Sequence, residues 1–285
     1  MQAIMQIENL SKHYDNFDLE DVSFSIPYGS IMGLIGANGA GKSTIIKTIL
    51  GIAHKDSGYI QIFGRDDIED NAIKEKIGVV FDGSNFHPAM TPKQINKVLA
   101  DIYTNWQEDV FYTYLKKLSL PEKKKIEDFS RGMKMKLAIA SALSHQPELL
   151  ILDEPTGGLD PIVRDEILDM FLDFIQDERH AILVSSHILR DLEKVADYIT
   201  FIHNGRLLFS KTKDELIYDY GLIRCTKEQF SSIERDDIIA CRRQEYSCDV
   251  LTADKAAAQR KYTDCVIDNV TIDDIMLMYI KGERQ

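Results

Sequence analysis

The stretch Gly36-Ala37-Asn38-Gly39-Ala40-Gly41-Lys42-Ser43-Thr44 fits the pattern G-x-x-x-x-G-K-[ST] in full, with Gly36, Gly41, Lys42 and Ser43 in the defining places. Glycines let the backbone curl so that successive amide N–H groups point inward at phosphate oxygens. A helix following such a turn adds its positive N-terminal end. Lys42 can then reach the outer phosphates of a nucleotide, and the Ser43 hydroxyl can bind Mg²⁺. A second group, Leu149-Leu-Ile-Leu-Asp-Glu-Pro155, is an apolar run that ends in two adjacent carboxylates. Burial of such a strand fixes where its last residues point. Asp153 is then placed to hold Mg²⁺, usually through water, because hard cations prefer oxygen ligands. Glu154 is placed to polarise an attacking water as general base. An ordinary glycine turn and a solvated strand end are the plain readings of these two groups, and each weakens when both occur in one chain.

The elements that must position these groups can be read from the pattern. Ile4–Ile26 alternates apolar and polar residues around turn residues at 14–16, which predicts antiparallel strands joined by a hairpin. Ile31–Ile35 is a short apolar strand running into the glycine turn and then a helix that ends near Gly51. A helical pattern spans Pro92–Leu118, with Tyr103, Trp106, Phe111, Tyr112 and Tyr114 among charged residues. Those rings suit an exposed groove and a helical core equally. Helices are predicted over Arg131–Leu143 and Val163–Gln176, and strands over Leu149–Leu152, Ala181–Ser185 and Ile199–His203. Strands alternating with helices imply an α/β fold, with a largely parallel sheet covered on both faces. Beyond about Ser210 the chain turns polar, holds every cysteine and carries no recognisable motif, consistent with a small α+β appendage closed by an amphipathic helix at Ile272–Ile280.

Composition narrows the functional classes. With 285 residues, 44% hydrophobic, the chain can bury one sizeable core plus a smaller appendage. No apolar run reaches the roughly 18 to 20 residues of a membrane span, and the N-terminus lacks a secretory pattern. A cytoplasmic polypeptide is expected. The formal net charge of −12 argues against a general nucleic-acid binder. Cys225, Cys241, Cys248 and Cys265 show no metal-site spacing and are expected to be reduced, partly buried thiols.

A phosphate loop and an acidic strand end fit many nucleotide enzymes; the residues between and after them decide. Phe129-Ser130-Arg131-Gly132-Met133, opening a helix before Asp153, resembles the signature motif of ABC transporter ATP-binding subunits in its S-x-G-M variant. Gly158-Leu-Asp160 resembles the D-loop of that family, and Val184-Ser-Ser-His187 its switch histidine. Tyr14 matches the aromatic that stacks on adenine, with core packing the other reading. Where the family usually has Gln, at the end of a strand Ile77–Phe81, this chain has Asp82; it can ligate Mg²⁺ but is shorter, charged and unable to donate a hydrogen bond.

The resemblance covers roughly residues 1–210 and is nearest to bacterial exporter ATPases serving drug, bacitracin-like or peptide export. It implies a P-loop ABC ATPase fold: a mostly parallel core sheet, an N-terminal antiparallel β subdomain, a helical insertion at about 83–145, and an accessory domain over 211–285. It also implies ATP and Mg²⁺ as cofactors, with Ser43, Asp82 and Asp153 toward the metal and Lys42, Glu154 and His187 in catalysis. Ser130, Arg131, Gly132, Met133 and Asp160 would close on ATP held by a second copy or a related ATPase. The implied partner is an integral membrane permease at the cytoplasmic face of the membrane, with the ATPase peripheral to it and no nucleic acid involved. A soluble ABC ATPase acting on the ribosome or DNA is the alternative, and a small-molecule phosphotransferase a more distant one.

Overall fold

The computed structural model describes residues 2–66, 68–83 and 85–283. Met1, Asp67, Ser84, Arg284 and Gln285 lie outside the described residues; all but Asp67 fall at the ends of the expected domains or in the expected helical insertion. The chain runs β1 (Ala3–Tyr14), β2 (Phe17–Pro27), β3 (Ser30–Ile35), α1 (Lys42–Ile49), β4 (Ser57–Ile62), α2 (Asn71–Lys74) and β5 (Ile77–Val80). Three longer helices follow: α3 (Pro92–Ile102), α4 (Glu108–Lys117) and α5 (Arg131–Leu143). Then come β6 (Leu149–Asp153), α6 (Pro161–Phe174), β7 (Ala181–Ser186), α7 (Leu189–Val195), β8 (Tyr198–His203) and β9 (Arg206–Thr212). The remainder forms β10 (Gly221–Cys225), α8 (Lys227–Phe230), β11 (Ala240–Arg243), β12 (Cys248–Thr252), α9 (Lys255–Lys261), β13 (Val266–Asn269) and α10 (Ile272–Lys281).

The larger sheet has the order β4-β1-β2-β9-β8-β3-β7-β6-β5. Its strands β3, β7, β6 and β5 are parallel neighbours, whereas β1 pairs antiparallel with β2 and β4. Every residue of β3, β6 and β7 is buried, which is why these strands read as continuous apolar runs and not as alternation. Each fully buried aliphatic side chain there contributes on the order of 1.5–3 kcal/mol. The register sets Ile35 beside Ser186 and Asp153 beside Ser185, so the three strands end level. In open α/β sheets ligands bind beyond the carboxyl ends of the strands.

The structure departs from the sequence expectation in the helical insertion. The single helical pattern over Pro92–Leu118 is broken: Tyr103 and Gln107 take extended backbone angles, and α3 and α4 are separate helices. Tertiary contacts hold the break open. The Tyr103 ring stacks on His145 at 4.1 Å, and the Trp106 indole N–H donates to Asn96 Oδ1 at 2.9 Å. Phe111 is fully buried, so these aromatics pack the insertion, and the exposed apolar residues of α3 are Val98 and Ile102. Helix α6 starts at Pro161, two residues before the expected Val163, because Asp160 caps it and proline suits its first turn.

Two compact units divide the chain, Met1–Ala196 with Ile202–Leu207, and Asp197–Phe201 with Leu208–Gln285. Within the second, four antiparallel strands in the order β11-β12-β10-β13 form a sheet of their own. Ile223, Cys225, Cys241, Cys248, Val250 and Tyr262 fill its core, with Cys265 packed against them. All four cysteines are free thiols, as expected.

His145 supplies a test of the first unit. Its Nδ1 donates to the Glu75 carbonyl at 3.0 Å, its Nε2 is buried with no hydrogen-bond partner among the described residues, and burial lowers its pKa from the ordinary value. In the unfolded chain the same imidazole takes up its proton near pH 6.5. The contribution to stability is therefore full above about pH 6.5 and is lost as pH falls from there toward the lowered folded value. A His145→Gln variant is expected to lose less thermal stability than the parent between about pH 7.5 and pH 5.5 in scanning calorimetry; parallel losses would refute this.

Candidate active site

The glycine turn joins β3 to α1. A Cβ on Gly36 would lie 2.5 Å from the Ile202 carbonyl oxygen, and Gly41 sits at φ +115° with the Phe17 ring against it. Only glycine fits either place without moving backbone or an aromatic ring. No side chain caps α1 and no acidic residue occupies its first turn, so its N-terminal amides keep their capacity for an anion. Lys42, the first residue of α1, is buried and folds back over the loop, donating to the carbonyls of Gly36 at 2.7 Å and Ala37 at 3.2 Å.

The acidic strand end meets Lys42 from β6. Lys42 Nζ lies 3.0 Å from Glu154 Oε1, an ion pair without hydrogen-bond alignment, and that oxygen accepts no hydrogen bond among the described residues. Glu154 Oε2 is taken by the His187 ring Nδ1 at 2.7 Å and the His187 backbone N–H at 3.3 Å. An ionised carboxylate only accepts, so against it Nδ1 carries the hydrogen. Glu154 adopts φ +51°, a conformation that costs about 1–3 kcal/mol in a residue with a side chain. Its N–H is held by Ser185, through the hydroxyl at 3.0 Å and the carbonyl at 3.2 Å. The same Ser185 hydroxyl donates to Asp153 Oδ1 at 2.6 Å.

Tyr14, Asn16, Phe17, Asn38, Gly39, Gly41, Lys42, Ser43, Thr44, Asp82, Asp153 and Glu154 line one cleft of about 680 Å³. Tyr14 is 46% exposed at the hairpin end of β1, with Lys12 Nζ 5.2 Å from its ring centre, so it does not pack into the core. The donor set suits Mg²⁺ and a polyphosphate: hydroxyl and carboxylate oxygens from Ser43 and Asp153, a lysine, a glycine turn and an unpartnered buried oxygen on Glu154. Asp82 follows a strand one residue shorter than expected, because the Phe81 N–H bonds to Asn85 Oδ1 and not to a neighbouring strand. Its carboxylate accepts from Arg131 Nη2 at 3.0 Å.

The expected signature residues do not line this cleft. Ser130 caps α5, accepting from the Met133 N–H at 3.2 Å, and Asp160 caps α6, accepting from the N–H groups of Ile162 and Val163 at 3.1 Å. Gly132 allows the start of α5 to approach Val163 closely. Sequence reasoning missed Ser185, Asn16 and Phe17. Ser185 had a usable signal: two buried strands with level ends place a hydroxyl beside Asp153.

Comparison with known proteins agrees with this geometry. The ABC transporter family profile matches residues 19–157. The bacitracin transport ATP-binding protein BcrA of Enterococcus faecalis is 34% identical over 76% of this chain and 71% of its own length. The linearmycin resistance ATP-binding protein LnrL of Bacillus subtilis is 31% identical over 99% of this chain and 94% of its own, the accessory region included. A solved structure of an ATP-binding subunit of an ABC transporter superposes with a TM-score of 0.68 at 30% identity, covering 75% of this chain and 91% of that one. With the phosphate loop and the acidic strand end at one cleft, and His187 bonded to Glu154, the chain belongs to the ATP-binding proteins of ABC transporters, the ATPases that drive transport across membranes.

Proposed function

We propose that this chain is the Mg-ATP-hydrolysing subunit of an exporter, acting at the cytoplasmic face of the membrane on a separate permease. The observation that carries the reading is the carboxylate of Glu154, gripped on Oε2 by His187 and left with an unshared buried Oε1 beside Lys42. In this arrangement Lys42 donates to the carbonyls of Gly36 and Ala37 and is paired by charge with Glu154. Phosphate oxygens arriving in the loop compete with Glu154 for that ammonium group. Glu154 Oε1 is then released to take a proton from water, while His187 keeps the carboxylate aimed. Ser43 and Asp153 would hold Mg²⁺, which when bound would neutralise phosphate charge. Catalysis is positioning together with charge stabilisation by lysine and loop amides.

In this reading two ATPase chains, identical or related, meet around two nucleotides. Each site takes Lys42, Ser43, Asp153, Glu154 and His187 from one chain and Ser130, Arg131, Gly132 and Met133 from the other. Ser130, Arg131, Gly158 and Asp160 are exposed and lie outside their own chain's cleft, which suits that use. The cargo class is an amphiphilic drug, lipid or peptide, by likeness to relatives named for bacitracin and linearmycin. No helix among the described residues is long and apolar enough to cross a membrane. Val98 and Ile102 of α3 offer the permease exposed apolar surface, close to a small cavity of about 130 Å³ lined by Leu99, Tyr103 and Ala138.

Two measurements test this. Glu154→Gln is expected to lower ATP hydrolysis by roughly 10²- to 10⁴-fold, the share of a general base, while ATP still binds; hydrolysis at the parental rate would remove Glu154 from the role. Purification from gently solubilised membranes is expected to bring down a multi-spanning protein that changes the ATPase rate. Ile102→Glu should lose that partner and keep ATP binding, and recovery from the soluble fraction alone, with no membrane protein attached, would overturn the exporter reading.

A further inference from the structure

The cleft poses an electrostatic problem that the mechanism leaves open. Three carboxylates, Asp82, Asp153 and Glu154, face a space shaped for phosphates, and the one lysine on its wall is engaged with Glu154. Asp153 and Glu154 have assigned work on metal and water. Asp82 lines the cleft as a third acid, and a like charge beside phosphates weakens their binding unless a cation offsets it.

The cation is Arg131. Its Nη2 donates to Asp82 Oδ1 at 3.0 Å, although Arg131 itself does not line the cleft. Both ends of this contact are built. On the Asp82 side, Asn85 braces the turn: its Oδ1 accepts from the Phe81 N–H at 3.2 Å, and its Nδ2 donates to the carbonyls of Phe81 at 3.1 Å and Gly83 at 3.3 Å. Gly83 turns the chain at φ +101°. On the Arg131 side, the guanidinium rests over Gly158, where a Cβ would come within 2.8 Å of Nη1 and 3.2 Å of Cζ. Gly158 lies in the turn that begins at Glu154, whose carbonyl accepts from the Gly157 N–H at 3.2 Å. One guanidinium thus ties the turn after β5 to the turn after β6.

We propose that Arg131 is a positioning residue for Asp82 within its own chain: an ion-pair latch that neutralises an acidic side chain on the wall of the nucleotide cleft and holds it off the phosphates. This rests on the ATP-binding reading above. It is distinct from the use of the signature by a second chain, because it requires no second chain. The side chains are 56% and 50% exposed, so the latch is weak, salt-sensitive and easily opened.

The test is a double-mutant cycle on the full chain, with ATP affinity measured by calorimetry in EDTA so that only phosphate and protein charges are read. Arg131→Gln is expected to weaken ATP binding by roughly two- to fivefold, the range one exposed ion pair supports, and Arg131→Lys by less. In the D82N background the same Arg131→Gln change is expected to cost clearly less than in the parent, and D82N alone is expected to bind ATP at least as tightly as the parent. The coupling should fade in about 1 M salt, where screening acts within about 3 Å. Equal losses with and without the Asp82 carboxylate, or weaker binding by D82N alone, would overturn the latch while leaving ATP binding intact. A parent chain that binds no ATP would overturn the functional reading and the latch with it.

Discussion

Consecutive residues of a strand point to opposite faces, yet Asp153 and Glu154 must both face one cleft. The chain resolves this by leaving β-conformation at Glu154, whose φ of +51° turns the second carboxylate back toward the first. That backbone state is unfavourable by itself and persists only because neighbours over-determine it. Ser185 does so from the adjacent strand, accepting the Glu154 N–H and holding Asp153 with the same hydroxyl. Loop, lysine and histidine then converge on carboxylates whose directions are already set. The cleft is a property of three parallel strands ending level, and the helices around them keep those strands buried.

Much of this was legible in the sequence because its signals are local. The glycine turn carries its own reason: Gly36 and Gly41 are required by a carbonyl and an aromatic ring that approach too closely for any Cβ. The runs 149–152 and 181–185 read as buried strands because parallel strands covered on both faces have no polar alternation. Helix α5 was legible to the residue, since Ser130 is a capping side chain followed by good helix formers.

What was not legible depends on partners distant in the chain. The break between α3 and α4 is made by His145 and Asn96, which no local pattern connects to Tyr103 and Trp106. The neighbour of Asp82 is Arg131, 49 residues further on. The sequence shows only an acid after an apolar run; the fold shows a guanidinium beside it. Ser185 lay between these cases, readable only once strand register is known.

The placement of the cysteines has a practical consequence. All four belong to residues 211–285, and Cys225, Cys241 and Cys248 are buried in the core of that unit. Burial pushes the Cys225 thiol up to about 12, which keeps it from forming the reactive thiolate while the core is closed. Half-buried Cys265 is the exposed edge of the group. The ATPase unit carries no sulfhydryl at all, so the rate at which a thiol-specific dye labels the three buried cysteines clocks the opening of the accessory unit alone. Nature has left the chain with a built-in stopwatch on one of its two parts.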